Sequence, residues 1–321
     1  KYVASDYHML TKVGTYAMGS NESIEIDVFD DFNPTTKALS GQVSHTDGIL
    51  CPMPGYYTNN LSVPVSVSPG DDFYIRVRYS SPGVEYQLPV EYEITDYSYP
   101  VIESNVAWLS SNGANGSWYL IGGTNTDFKG DPCVKVYAEP WNSWTGTVNT
   151  DWNTAGNWSK GEVPDMLDDI EINDAINDPA ISNDPETPAS CRHLIIHAGA
   201  SLGINAGKAL TVTGTLANEA GVSGLVLHAG SSLIANTSST ATVESAITDR
   251  RWHLISAPVA AATANVFLGH YLQTHSEPTN RYTDIISAGT NLTPANGFAL
   301  WGDAAGFTGT YTGNLNNGAI T

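Results

Sequence analysis

Leu194-Ile195-Ile196-His197-Ala198-Gly199-Ala200-Ser201-Leu202 returns thirty-one residues later as Leu225-Val226-Leu227-His228-Ala229-Gly230-Ser231-Ser232-Leu233. Two in-register copies of one pattern, L-[IV]-[IL]-H-A-G-[AS]-S-L, form an internal repeat, and repeats at such a period mark stacked architectures. A weaker echo lies between them, Asn205-Ala206-Gly207-Lys208-Ala209-Leu210-Thr211-Val212-Thr213-Gly214. Its apolar segments are too short and too closely spaced for helices, and they fit strand–turn–strand units. The stretch from Cys191 to Glu244 therefore reads as a small β-solenoid or a tightly wound β-sandwich.

The repeat carries histidines, and their spacing decides what they can do. His193 and His197, four apart on a strand, stand about 13 Å apart and cannot share one metal ion. If the 31-residue period spans two rungs, His197 and His228 are roughly 10 Å apart. These side chains read as solvent-facing positions at turns.

Upstream, Ser23-Ile24-Glu25-Ile26-Asp27-Val28-Phe29 alternates polar and apolar residues, the mark of a half-buried strand. A turn is expected at Asp30-Asp31-Phe32-Asn33-Pro34. Further strands are expected at 61–67, 73–79 and 133–137, the first two separated by Ser68-Pro69-Gly70-Asp71-Asp72. The whole chain reads as all-β: a β-sandwich of lectin-like or jelly-roll type over 1–139, a Trp-capped β-solenoid over 140–249, and a small β-domain over 250–321.

Composition narrows the function. Charged residues make up only 14% of the 321, against about 25% in an average globular domain. Thr, Ser, Asn and Gly must supply the polar surface, as they do in secreted β-proteins. Thirteen basic residues against 33 acidic ones give a net charge of −20. That field disfavours nucleic acid and anionic membrane surfaces as partners. No apolar run approaches the roughly 20 residues that span a bilayer.

Family resemblances become visible here. Pro54-Gly55-Tyr56-Tyr57-Thr58, Leu88-Pro89-Val90-Glu91, Trp108-Leu109-Ser110-Ser111-Asn112-Gly113, Gly116-Ser117-Trp118-Tyr119-Leu120 and Cys133-Val134-Lys135-Val136-Tyr137 occur in a telling order. Together they resemble the lectin-like β-sandwich module attached to many bacterial and archaeal papain-type cell-surface peptidases. Further on come Trp144-Thr145-Gly146, Asp151-Trp152-Asn153, Asn157-Trp158, Gly161-Glu162-Val163-Pro164 and Asp168-Asp169-Ile170-Glu171-Ile172. This set is similar to the entry segment of β-solenoid repeats in surface proteins of the Bacteroidota and in some autotransporters. There the Trp residues would cap an otherwise open apolar core. Arg251-Trp252-His253-Leu254-Ile255-Ser256-Ala257-Pro258-Val259 and Asn296-Gly297-Phe298-Ala299-Leu300-Trp301 are similar to a segment of very long secreted Bacteroidota proteins. The resemblances imply a secreted or cell-surface protein, and we expect a longer chain around this one.

Candidate chemistry is sparse. Tyr56, Tyr57, Trp108, Trp118 and Tyr119 stand in loops of the first region, where rings with polar tips suit sugar faces or protein surfaces, or else belong to the core. Asp165, Asp168, Asp169 and Asp174 lie in an acidic run with Glu171, Asp178, Asp184 and Glu186. That run either holds Ca²⁺, which wants six to eight oxygen ligands, or is a solvated loop. Of three cysteines, Cys51 and Cys133 fall in one region and either pair as a disulfide or remain free thiols, whereas Cys191 reads as solenoid core. No G-x-S-x-G, H-E-x-x-H or P-loop occurs, and Cys51 lacks the local signature of a papain-type nucleophile.

The expectation is an extracellular, non-catalytic protein used for adhesion, ligand binding and spacing, its partner a glycan or a cell-surface protein. Two alternatives are a self-associating subunit of an extracellular fibre or surface layer, and a carbohydrate-binding appendage of a secreted hydrolase.

Overall fold

The computed structural model describes residues 1–85, 87–101, 103–123, 130–182 and 188–318. Two compact units divide the chain, Lys1–Pro140 and Trp141–Thr321. All regular structure among the described residues is β, apart from three short 3₁₀ turns. No helix among them is long and apolar enough to cross a membrane.

The first unit runs β1 (Tyr2–Val3), β2 (His8–Ala17), β3 (Glu22–Asn33), β4 (Ala38–Cys51), β5 (Gly55–Val67), β6 (Asp72–Ser80), β7 (Val90–Tyr92), β8 (Ala107–Leu109), β9 (Tyr119–Ile121), β10 (Gly130–Pro132) and β11 (Val134–Pro140). One antiparallel sheet has the order β1-β6-β3-β4 and another the order β11-β2-β5. Their apolar faces meet in one core: Leu10 and Val13 from β2, Ile24, Ile26 and Val28 from β3, Leu61 and Val67 from β5, and Phe73 from β6. The period-2 pattern of β3 puts Glu25 and Asp27 on the opposite face. The strand runs on to Asn33, so the turn expected at 30–34 falls instead at 34–37.

The second unit begins as a coil. Its strands, in chain order, are β12 (Asn142–Trp144), β13 (Asp169–Ile172), β14 (Ala180–Ile181), β15 (Ala189–Cys191), β16 (His193–Ile196), β17 (Leu202–Ile204), β18 (Ala209–Val212), β19 (Leu216–Asn218), β20 (Leu225–Leu227), β21 (Ser232–Ala235) and β22 (Thr240–Ile247). They form three parallel stacks, β12-β13-β16-β19, β14-β17-β20-β22 and β15-β18-β21. Ile170 lies beside Leu194 and Leu194 beside Leu216, so successive turns take 24 and 22 residues. Ile170, Leu194, Leu202, Leu210 and Leu225, all fully buried, fill the bore.

This corrects the period inferred from the repeat. β16 and β20 belong to different stacks, and Leu227 pairs with Ile204 rather than with Ile196. The two copies sit one turn and one face apart and do not stack. What repeats is a corner: a strand, a tight turn, and the start of the next strand. Gly199 and Gly230 hold φ of 93° and 82° at that corner, a region glycine enters without steric cost.

Trp144, Trp152 and Trp158 close the β12 end of the bore. Trp158 meets Trp144 and Trp152 edge-on, with centroids at 5.1 and 4.8 Å, and none of the three is more than 3% exposed. Two of the indoles are satisfied internally: Trp144 Nε1 donates to Asn177 O at 2.7 Å and Trp158 Nε1 to Trp152 O at 2.9 Å.

The remaining strands are β23 (Trp252–Ile255), β24 (Leu272–Ser276), β25 (Arg281–Asp284), β26 (Phe298–Trp301) and β27 (Phe307–Asn314). The first four make an antiparallel sheet, and β27 runs antiparallel along the whole of β22. Val243 and Leu315 pack against both the bore and a second core around Phe267, Leu300 and Tyr311.

Trp152→Ala should lower the stability of the second unit by about 3–5 kcal/mol, the usual cost of emptying a buried Trp site. Denaturant unfolding followed by tryptophan fluorescence reads this directly. An unshifted midpoint would show that the ring does not seal the bore.

Candidate functional site

The first unit carries a cleft of about 510 Å³ at one end of the β1-β6-β3-β4 sheet. Phe32 near the end of β3 is its floor. Phe32 lies 4.6 Å from Trp108 and 5.7 Å from Tyr74, and Tyr74 and Trp108 are 6.1 Å apart, centroid to centroid. Leu39 and Trp118 pack on the same cluster. Tyr119, 69% exposed, adds a ring at the surface, and Lys1, Lys37 and Asn105 complete most of the lining.

Two local devices hold these rings. β8 and β9 form a hairpin in which Trp108 pairs with Leu120 and Leu109 with Tyr119. Within its loop Ser110 and Ser117 hydroxyls meet at 2.6 Å, and Asn112 Oδ1 accepts from Ala114 N at 2.9 Å. The β3–β4 turn is closed by Asn33 Oδ1, which accepts from Thr35 N and Thr36 N at 2.9 and 3.0 Å. Gly116 N donates to Lys37 O at 2.8 Å, tying the hairpin loop to that turn. Lys37 and Asn105 both hold left-handed backbone, φ 53° and 60°, which asparagine adopts readily and which costs the lysine on the order of 1 kcal/mol.

Of the five aromatic residues read from the sequence as candidate ligand contacts, the structure brings Trp108, Trp118 and Tyr119 together. Tyr56 and Tyr57 do not join them, because β5 belongs to the other sheet. The Tyr56 hydroxyl lies 2.8 Å from that of Tyr137, its ring meets Tyr16 edge-on at 5.0 Å, and burial pushes its phenol up to about 12. Tyr57 donates to Met53 O at 2.8 Å.

Beyond the cleft, the outer face of the same sheet holds a charged network that the sequence did not announce. Asp27 is fully buried. Its Oδ2 accepts from Arg76 Nε at 2.9 Å, its Oδ1 accepts from Gln42 Nε2 at 2.9 Å, and His45 Nδ1 lies 2.7 Å from Oδ1. Glu25, Asp27 and His45 keep ligand atoms within 4.8 Å of one another, a spacing a metal ion could use. Both Asp27 oxygens are already engaged, one by the Arg76 guanidinium, whose charge opposes a bound cation. Arg76 also lies over the Phe29 ring at 5.2 Å, which joins the network to the aromatic cluster.

The four aspartates proposed for Ca²⁺ do not converge. No three of them bring oxygens within 4.8 Å of one another, since the one such group among the described residues is Glu25, Asp27 and His45. Asp169, buried on β13, is held by Arg192 through both oxygens at 2.7 Å. Asp165 accepts from Leu167 N at 2.7 Å and Asp168 from Asp165 N at 2.9 Å, so both close a local turn. Asp174 packs against Gly199. Asp184 and Glu186 lie outside the described residues.

The coil histidines pair with carboxylates on neighbouring turns. His197 lies between Glu171 and Glu219 at 3.2 and 3.0 Å, and His228 is 3.0 Å from Glu244. His197 is half-buried, not solvent-facing. Cys51, Cys133 and Cys191 are free, and no disulfide joins Cys51 to Cys133. Burial raises all three thiols above their ordinary value, which favours the protonated form.

These features define a two-unit all-β class: an antiparallel lectin-like unit followed by a parallel coil with an appended antiparallel sheet. Residues 2–138 match the model of the family described as a lectin like domain. Residues 143–321 match that of a domain of unknown function (DUF8693), and the chain belongs to this family. No curated protein and no solved structure matches the chain.

Four outcomes test the chemistry of these side chains. Arg192→Ala removes the guanidinium that meets both oxygens of the buried Asp169 carboxylate and should cost about 3–5 kcal/mol in denaturant unfolding, while calcium should leave the melting temperature unmoved. Thiol titration of the denatured chain without reductant should find three thiols. The hydrogen bond to Asp27 raises the His45 pKa above 6.5. A raised folded value stabilises below the unfolded one and is lost as pH rises through it. The melting-temperature advantage of the wild type over His45→Gln should therefore be larger at about pH 5.5 than at about pH 8.5; a gap that does not change with pH would contradict this.

Proposed function

We propose that the cleft between β3, β6 and the β8–β9 hairpin binds a saccharide. On this reading the chain is an extracellular, non-catalytic binding region whose C-terminal coil acts as a spacer. One observation carries it: Trp108, Trp118 and Tyr119, apart from Phe32 and Tyr74 in the sequence, converge on one concave site. Sugar rings offer an apolar C–H face that stacks on aromatic rings, and hydroxyls that meet polar tips. The volume of about 510 Å³ falls in the range of about 300–1,000 Å³ usual for small-ligand sites.

The match to the lectin-like family supports the same reading. The groups lining the cleft include rings, an amide and two ammoniums, which suit the holding of a ligand. A low charged fraction of 14% fits a secreted surface. The resemblance to modules of papain-type surface peptidases and to Bacteroidota surface proteins adds the expectation of an accessory or adhesive role beside a longer protein.

A glycan array probed with the whole chain should give hits, and Tyr119→Ala should weaken them about tenfold, as removal of a stacking anchor does. Tyr119 is 69% exposed, so its loss spares the core. Tyr56→Ala should leave binding unchanged. A blank array, or Tyr119→Ala binding like the wild type, would remove the cleft as the site.

A further inference from the structure

We infer that the cleft selects saccharides bearing a carboxylate, such as oligouronates, and that Lys37 is the residue that reads the acidic group. This inference rests on the saccharide reading above and names its ligand class. The chain carries 33 acidic and only 13 basic residues, yet two of those cations, Lys1 and Lys37, line this one cleft, and among the described residues no acidic one lines it. Their states differ. Lys1 Nζ is paired with Asp72 at 2.6 Å, so its charge is already met. Lys37 Nζ lies over the Tyr119 ring at 5.2 Å, and among the described residues no carboxylate pairs with it. Its charge remains available for a ligand.

The placement of Lys37 is fixed by the backbone. The residue sits at φ 53°, where a lysine is strained and a glycine or asparagine is at ease. Gly116 N grips its carbonyl at 2.8 Å, and the Asn33 side chain closes the turn before it. The ammonium lies over the Tyr119 ring, in the cleft that Trp108 and Trp118 also line. A sugar stacked on those rings would place a ring carboxylate within reach of Lys37. In a chain of net charge −20, an ammonium that pairs with no carboxylate among the described residues gives local charge complementarity to an anion. Neutral sugars would meet it only through hydroxyl hydrogen bonds, without the charge pairing.

The test uses calorimetric titration of the whole chain. The probes are oligogalacturonate, oligomannuronate and hyaluronan fragments, each compared with the same oligosaccharide after carboxyl reduction to the neutral sugar. At least one acidic form should bind, its reduced form about tenfold more weakly, as expected when one hydrogen bond to a charged group is lost. The preference should shrink as salt rises past about 0.1 M. Lys37→Gly should abolish the preference while holding or raising the melting temperature, because glycine relieves the left-handed strain. Lys37→Arg should retain it. Equal binding of acidic and reduced forms, or an acidic preference that survives Lys37→Gly, would overturn the inference and leave the saccharide reading standing. No binding of either form, with a blank glycan array, would remove both.

Discussion

Everything at the cleft depends on β3 being paired on both sides. β6 and β4 hydrogen-bond along its two edges over most of its length. A strand so held cannot slip by one residue without turning Ile24, Ile26 and Val28 out of the core. The same register fixes what lies on the other face. Asp27 is opposite Arg76 on one side and His45 on the other, and Phe29 is opposite Tyr74. The buried salt bridge and the Phe29–Tyr74 pair are thus two consequences of one alternation. The ion pair adds geometric definition more than stability, because desolvating a carboxylate offsets most of the attraction.

The second unit obeys a different rule. Each turn of the coil buries its apolar side chains only against the turns before and after it, so the ends of the stack are its weak points. One end is filled by three indoles and the other is overlaid by β27 and the second core. Along the corners, His197 and its glutamates bridge three successive turns. Such pairs at partly exposed positions add little energy, yet they match one turn to the next.

Much of this was legible in the chain. Alternation gave β3 and β6, and the recurring apolar triplets with Gly-bearing corners gave the coil. The period was misread because the corner motif recurs one and a third turns on, so strict similarity joined two faces instead of two turns. The aromatic site was half legible. Trp108, Trp118 and Tyr119 are close in sequence and stay together, but Phe32 and Tyr74 look like ordinary strand residues until β3 and β6 pair. Tyr56 and Tyr57 were misplaced because a local cluster of rings says nothing about which sheet its strand joins. Asp27 had no local signal at all: its partners, Gln42, His45 and Arg76, are supplied by two other strands. The aspartate run looked like a calcium loop because carboxylates crowd the sequence there. In space, one is consumed by Arg192 and two by their own turn.

The pairing of β27 with β22 also bears on the order in which the second unit assembles. Contacts within the coil join residues one turn apart, as Leu194 joins Leu216, and such contacts are cheap to form because little chain must be closed. Growth can therefore start at any turn and proceed outward. Ile247, by contrast, waits for Phe307, and Thr240 waits for Asn314. Those contacts close far longer loops and slow the step that makes them. The coil thus supplies an edge along which the last strand lies, joined by contacts that close longer loops than those between neighbouring turns.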